Sequence, residues 1–180
     1  MSIVEKAKKG VRLRLEPEEA ALMRALMEQL LELMGDGPGK DDLLGAVGIS
    51  AGATKPDDPV LARLFPDAYG DEDGEAAGEF RRYTEMGLRD GKREAADTVL
   101  GSLRPEAVGG GVDTVIDDGQ AQAWLRALND VRLALGTRLD ITEERYEEAA
   151  LLDPDDPRAV MFEAYDWLTM LQESLVRTIW

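Results

Sequence analysis

The stretch VRLRLEPEEAALMRALMEQLLELM, residues 11–34, contains the pattern that decides the fold. Apolar and basic residues alternate over residues 11–15, which is the two-residue period of a strand with one buried face. Leucines then recur at helical spacing behind Pro17, a residue that suits the first position of a helix. The stretch predicts a short strand followed by a helix over residues 17–34.

The stretch VDTVIDDGQAQAWLRALNDVRLALGTRL, residues 112–139, has the same order. It predicts a strand over residues 112–117 and a helix over residues 120–139. A shift of 102 residues aligns six identical pairs: Ala21 with Ala123, Arg24 with Arg126, Ala25 with Ala127, Leu26 with Leu128, Leu31 with Leu133, and Leu33 with Leu135. The likeness indicates either two half-repeats, residues 11–104 and 112–178, or two Leu- and Ala-rich helices that are alike by composition.

The fold class predicted is mainly α, a single helical domain over residues 1–180 with a short two-stranded antiparallel ribbon. Further helices are predicted over residues 59–65, 75–103, 142–151 and 157–177. Glycines and prolines without a sustained period predict a flexible linker over residues 35–57. A two-stranded ribbon alone is only marginally stable, so we expect helices to cover it.

The composition excludes several function classes. The 180 residues include no Cys and no His, so a zinc finger, a thiol nucleophile, a disulfide switch and a Ser-His-Asp triad are all excluded. The string GISAG at residues 48–52 resembles a nucleophile elbow, but there is no His to activate its serine. We therefore expect no enzymatic activity, no cofactor and no metal site.

The charge is strongly acidic and unevenly placed. The chain has 37 acidic and 21 basic side chains, a net charge of −16, which makes direct binding of nucleic acid unfavourable. Five basic residues nevertheless lie close to the start: Lys6, Lys8, Lys9, Arg12 and Arg14. They indicate either a solvated tail or an arm that binds a partner. The sequence lacks a run of 18 apolar residues, so we expect no membrane span and a cytoplasmic protein.

Aromatic residues are concentrated in the last predicted helix. If Met161, Tyr165 and Leu168 belong to its core face, then Trp167 and Met170 lie well around the helix, and Trp180 follows at the end. Trp167, Met170 and Trp180 are therefore candidates for binding a partner helix or a second copy of the chain. Core packing on both sides of the helix is the alternative.

Polar residues also interrupt the apolar helix at residues 120–139. They are Asn129, Asp130, Arg132 and Arg138. Buried charges require partners, so these residues predict a structural polar network of ion pairs between helices. A polar binding site is the alternative.

Four stretches resemble an actinobacterial family long described as a domain of unknown function. They are RLRLEPEEAALMR at residues 12–24, DPVLARLFPDAY at 58–69, RALNDVRLALGTRL at 126–139 and YDWLTMLQESLVR at 165–177. Some members of this family are labelled oxidative-stress transcriptional regulators. The resemblance implies a small intracellular regulator that acts through a sigma factor or RNA polymerase.

Gene neighbours in the same family imply an alternative role. They commonly include the genes for the Clp-protease adaptor and for a sulfur-carrier route to cysteine, which implies an adaptor in Clp-type proteolysis. In either role the acidic body favours contact with a basic protein surface, and DNA is left to the partner.

Overall fold

The computed structural model describes residues 2–35, 58–66, 74–104, 110–153 and 155–180, with side chains throughout except at 74–83. Its elements in chain order are β1 (Ile3–Ala7), β2 (Gly10–Leu15), α1 (Pro17–Met34), α2 (Pro59–Leu64), α3 (Gly74–Ser102), β3 (Val112–Ile116), α4 (Asp118–Leu139), α5 (Glu143–Ala149) and α6 (Pro157–Ile179). The described part of the chain is mainly helical, which confirms the predicted fold class. The predicted linker at residues 35–57 lies outside the described residues, apart from Gly35 at the end of α1.

The sheet has three strands in the order β1-β2-β3, so the prediction of a two-stranded ribbon was wrong. The predicted pairing of β2 with β3 is antiparallel, as expected, with Leu13 opposite Thr114. The additional strand, β1, is antiparallel to β2 and places Val4 opposite Leu13. Its charged side chains obscured the strand pattern, although lysines are common on edge strands because they discourage pairing with another chain.

The turn between β1 and β2 depends on Gly10. This residue has φ +96°, and a Cβ atom there would overlap the carbonyl oxygen of Ile116. Glycine is the residue that adopts this conformation without strain. The backbone of β2 therefore approaches the end of β3 more closely than any side chain would permit.

We expect Gly10→Ala to lower the free energy of unfolding by about 1–3 kcal/mol, because it adds both backbone strain and a clash. Urea denaturation followed by circular dichroism measures this change. Gly101→Ala is the matched control, since a Cβ atom at Gly101 meets nothing within 4 Å. An equal loss of stability in both variants would contradict the described turn.

Helix α4 lies at the centre of the domain. It contacts α1, α2, α3 and α6, and also β2 and β3. Asp117 accepts a hydrogen bond from the backbone N–H of Gln120 at 2.8 Å and so caps the helix, whereas the sequence pattern assigned Asp117 to the strand before it. The completely buried side chains of Trp124 and Leu128 lie on α4, so this helix holds the core together.

Candidate partner-binding surfaces

The basic residues near the start form a β-hairpin, so the interpretation as a solvated tail was wrong, whereas binding of a partner by these residues stays a prediction. Lys8 and Lys9 make the turn and are exposed, and Lys6 lies on β1 with its side chain exposed. None of these three lysines forms an ion pair with a described residue. The tip of the hairpin is therefore a positively charged point on an otherwise acidic molecule.

Arg12 and Arg14 differ from these lysines because they have an acidic partner. Both arginines lie on the outer face of the sheet, where Asp113 accepts two hydrogen bonds from Arg12 at 2.7 Å and one from Arg14 at 3.1 Å. The hydrogen bond from Arg12 is the main reason why the pKa of Asp113 lies below its usual value. The carboxylate partly neutralises the two arginines, so most of the available positive charge is on the lysines.

Trp167 connects α6 to the start of the chain. Its indole N–H donates to the hydroxyl oxygen of Ser2 at 2.8 Å, and the backbone N–H and hydroxyl of Ser2 both donate to Glu19 at 2.9 Å. Trp167 is also partly buried against the core. Trp167 therefore connects α6 to the start of β1, which begins directly after Ser2.

Met170 and Trp180 lie farther from the core than Trp167. Met170 is 59% exposed and Trp180 is 79% exposed. Both side chains are large and apolar, and side chains of this kind contribute most to binding when a partner covers them. They remain candidates for contact with a partner.

The polar residues of α4 connect this helix to three different neighbours. Asp130 accepts from Lys92 of α3 at 2.5 Å, Arg132 donates to Thr169 and Gln172 of α6, and Arg138 donates to Asp58 at 3.0 Å. Asn129, by contrast, is exposed. The contacts are separate interhelical links and do not meet in one place.

The carboxylates of the two ion pairs, Asp130 and Asp58, have pKa values shifted in opposite directions. Asp130 is only 2% exposed, and desolvation raises the pKa of its carboxyl group above the usual value, although Lys92 opposes the shift. The pKa of Asp58 lies below its usual value, chiefly because the backbone N–H of Val60 donates to the carboxylate. The ion pair of Asp130 is the one whose charges are costly to bury.

Arg89 is a structural residue that the sequence analysis missed. It is 8% exposed, donates to the carbonyl oxygen of Met34 and to Glu85, and lies over the ring of Phe65 at 4.4 Å. Arg93, one turn later, donates to the carbonyl oxygen of Gly35. The spacing of four residues puts both arginines on one side of α3, where they cap the end of α1.

An open apolar groove was also missed. It lies between α1, α4 and α6 and has a volume of about 500 Å³. Its walls are formed by partly exposed apolar side chains from these three helices: Leu26, Leu33, Ala134, Leu135 and Met161. The spacing of the leucines predicted the helix α1 but not the exposure of Leu26 and Leu33, because periodicity alone does not distinguish a covered face from an open one.

The described residues lack two other kinds of feature. No group of three or more acidic side chains there is placed to hold a metal ion. No helix in that part of the chain is both long and apolar enough to span a membrane.

The fold and these surfaces define a mainly helical protein with a small antiparallel sheet. The chain belongs to the family described as Domain of unknown function (DUF2017), whose model matches residues 1–179. Membership of this family confirms the resemblance found in the sequence.

Similar proteins occur in mycobacteria. The putative oxidative stress regulator AosR of Mycobacterium leprae is 36% identical over 176 residues, which cover 89% of this chain and 78% of the relative. The oxidative stress regulator AosR of Mycobacterium tuberculosis is 36% identical over 178 residues, with 90% and 78% covered. No solved structure is significantly similar to the chain.

Proposed function

We propose that this protein is a non-enzymatic stress-response regulator that acts on transcription through a protein partner, such as a sigma factor or RNA polymerase. The observation that carries the proposal is the similarity to proteins named oxidative stress regulators, which extends over about nine-tenths of the chain. The strongly acidic body supports contact with a protein rather than with DNA, because its negative charges repel the phosphates of DNA.

The basic hairpin is the proposed point of first contact. Lys6, Lys8 and Lys9 are exposed, while Arg12 and Arg14 are paired with Asp113. Exposed charges of this kind mainly accelerate association and select the partner. Met170 on α6 and Trp180, directly after its end, then supply apolar area for the complex.

The chain does not use a thiol to respond to stress, because it contains no Cys. The regulatory contact therefore does not depend on a disulfide of this chain. Any response to oxidants resides in the partner or in other chemistry of the chain.

The test is an affinity pull-down from native lysate, read by mass spectrometry, with wild-type protein and a Lys6→Glu/Lys8→Glu/Lys9→Glu variant as baits. We expect the wild type to enrich RNA polymerase or a sigma factor. We expect the variant to lose about tenfold or more of this enrichment, because it reverses the charge of the contact.

A matched control distinguishes the effect of the hairpin lysines from the effect of the protein's net charge. Arg63→Glu/Arg126→Glu/Arg145→Glu makes the same change in charge at exposed residues of three other helices, and we expect it to retain the enrichment. Enrichment of Clp-protease components in place of polymerase would favour the alternative role as an adaptor. If neither set of proteins is enriched, the proposed function is wrong.

A further inference from the structure

The apolar groove between α1, α4 and α6 is built with a closed floor and an open top. Leu30, Val60 and Val131 line it and are at most 3% exposed, so they form the floor. The side chains of the walls are only partly covered. Open apolar surface of this kind is typical of a binding groove.

The apolar surface continues along α1 beyond the groove. Leu22 lies one turn before Leu26 on the same face of the helix and is 37% exposed. From Leu22 to Leu33 the face is about 16 Å long at the rise of an α-helix, which matches about three turns of a partner helix. The surface is therefore longer than a small apolar molecule requires.

The charged side chains near the groove favour a basic partner. Glu32 is exposed on α1 and lines the groove. The guanidinium group of Arg138 on the opposite side already pairs with Asp58 at 3.0 Å. Because Glu32 forms no ion pair with a described residue, the rim of the groove is left negative.

We infer that this groove binds a basic amphipathic helix of a partner protein. The apolar side of the helix covers the wall residues, and its basic side faces Glu32, which is the usual way in which an amphipathic helix occupies a groove. The inference deepens the proposed function, on which it rests, by giving the chemistry of the partner.

The test uses a fluorescein-labelled Leu/Lys amphipathic peptide of about 18 residues and its Leu/Glu counterpart. Fluorescence anisotropy is measured at about 0.15 M salt, so that weak surface attraction is screened. We expect the protein to bind the Leu/Lys peptide and not the Leu/Glu peptide.

Two variants locate the binding. Ala134→Phe fills the groove without removing a core side chain, and we expect it to weaken binding about tenfold. Glu32→Lys reverses the charge of the rim, and we expect a loss of about fivefold or more. The matched control, Glu144→Lys on the exposed helix α5, makes the same change in charge away from the groove, and its affinity should stay within about twofold of wild type. Circular dichroism establishes that each variant is folded.

Equal affinity of wild type and Ala134→Phe for the Leu/Lys peptide would overturn the inference, as would equal binding of both peptides. Binding of anilinonaphthalene sulfonate without binding of the peptide would assign the groove to a small apolar ligand instead. Self-association that Ala134→Phe abolishes would assign it to a second copy. The peptide assay needs no natural partner, so its failure beside a positive pull-down would reject the groove and leave the proposed function intact.

Discussion

Replacing Trp124 by Ala is expected to lower the free energy of unfolding by about 3–5 kcal/mol. The side chain is completely buried in α4, and its indole N–H donates to the hydroxyl of Ser102 on α3 at 2.9 Å. The substitution removes a large apolar volume from the helix that contacts most of the domain, and it leaves a cavity that the neighbouring elements fill only in part.

The measurement is urea denaturation followed by far-ultraviolet circular dichroism, which does not depend on the fluorescence of the tryptophan removed. Trp180→Ala is the matched control because Trp180 is 79% exposed. We expect the control to stay within about 0.5 kcal/mol of wild type. Similar unfolding curves for the two variants would contradict the central position of Trp124.

The second large effect is expected from Lys92→Met, which should destabilise the protein by about 3–5 kcal/mol at neutral pH. Lys92 is the ion-pair partner of Asp130, and the carboxylate is nearly inaccessible to water. Removal of the lysine leaves a buried charge without a counter-ion, whose desolvation is no longer compensated.

The loss of stability in Lys92→Met should become smaller as the pH falls. Burial raises the pKa of Asp130 in the folded chain above its usual value, so between the two pKa values the folded state binds more protons than the unfolded state. The group therefore favours folding more as the pH falls through that interval. Without Lys92 the pKa should rise further, so the deficit of Lys92→Met should be largest near pH 7 and should shrink toward about pH 4.

Unfolding free energies measured across this pH range check both the size of the destabilisation by Lys92→Met and its dependence on pH. The double variant Lys92→Met/Asp130→Leu removes both charges, and we expect it to recover most of the lost stability and to lose the pH-dependent deficit. A deficit in Lys92→Met that is constant with pH would show that the loss comes from packing of the lysine stem and not from the charge of Asp130.

The long helices were predictable because their signals are local. The leucine spacing and Pro17 predicted α1 over residues 17–34, which is where the structure has it. The helix at Pro157–Ile179 also starts at the predicted residue, since Asp156 caps it through a bond to the backbone N–H of Arg158. Caps and periodicity act within one or two turns, so the sequence expresses them directly.

Strand β1 was missed because its pattern conflicts with its charge. Ile3 and Val4 are followed by Glu5 and two lysines at the turn, and this composition is typical of a polar terminus. A local signal was nevertheless available, since Gly10 follows directly after Lys9 and begins the alternation of β2. The edge position tolerates charged side chains, and composition alone does not distinguish such an edge from a tail.

The half-repeats, residues 11–104 and 112–178, stay a prediction. Strand β2 precedes α1 and strand β3 precedes α4, as the alignment of the two stretches requires. Similar order alone does not distinguish a duplication from two helices of like composition.

The sequence by itself determined the helices, two of the three strands, the absence of thiol chemistry and the family. Only the tertiary structure showed what the candidate residues contact. Arg12 donates a hydrogen bond to Asp113, which is 101 positions away in the chain, and Trp167 donates one to Ser2, which is 165 positions away. The groove, likewise, exists because α4 and α6 lie beside α1 and cover Leu26 only in part. Periodicity specifies which face of an element is apolar, but the partner of that face is set by long-range packing, which no local pattern encodes.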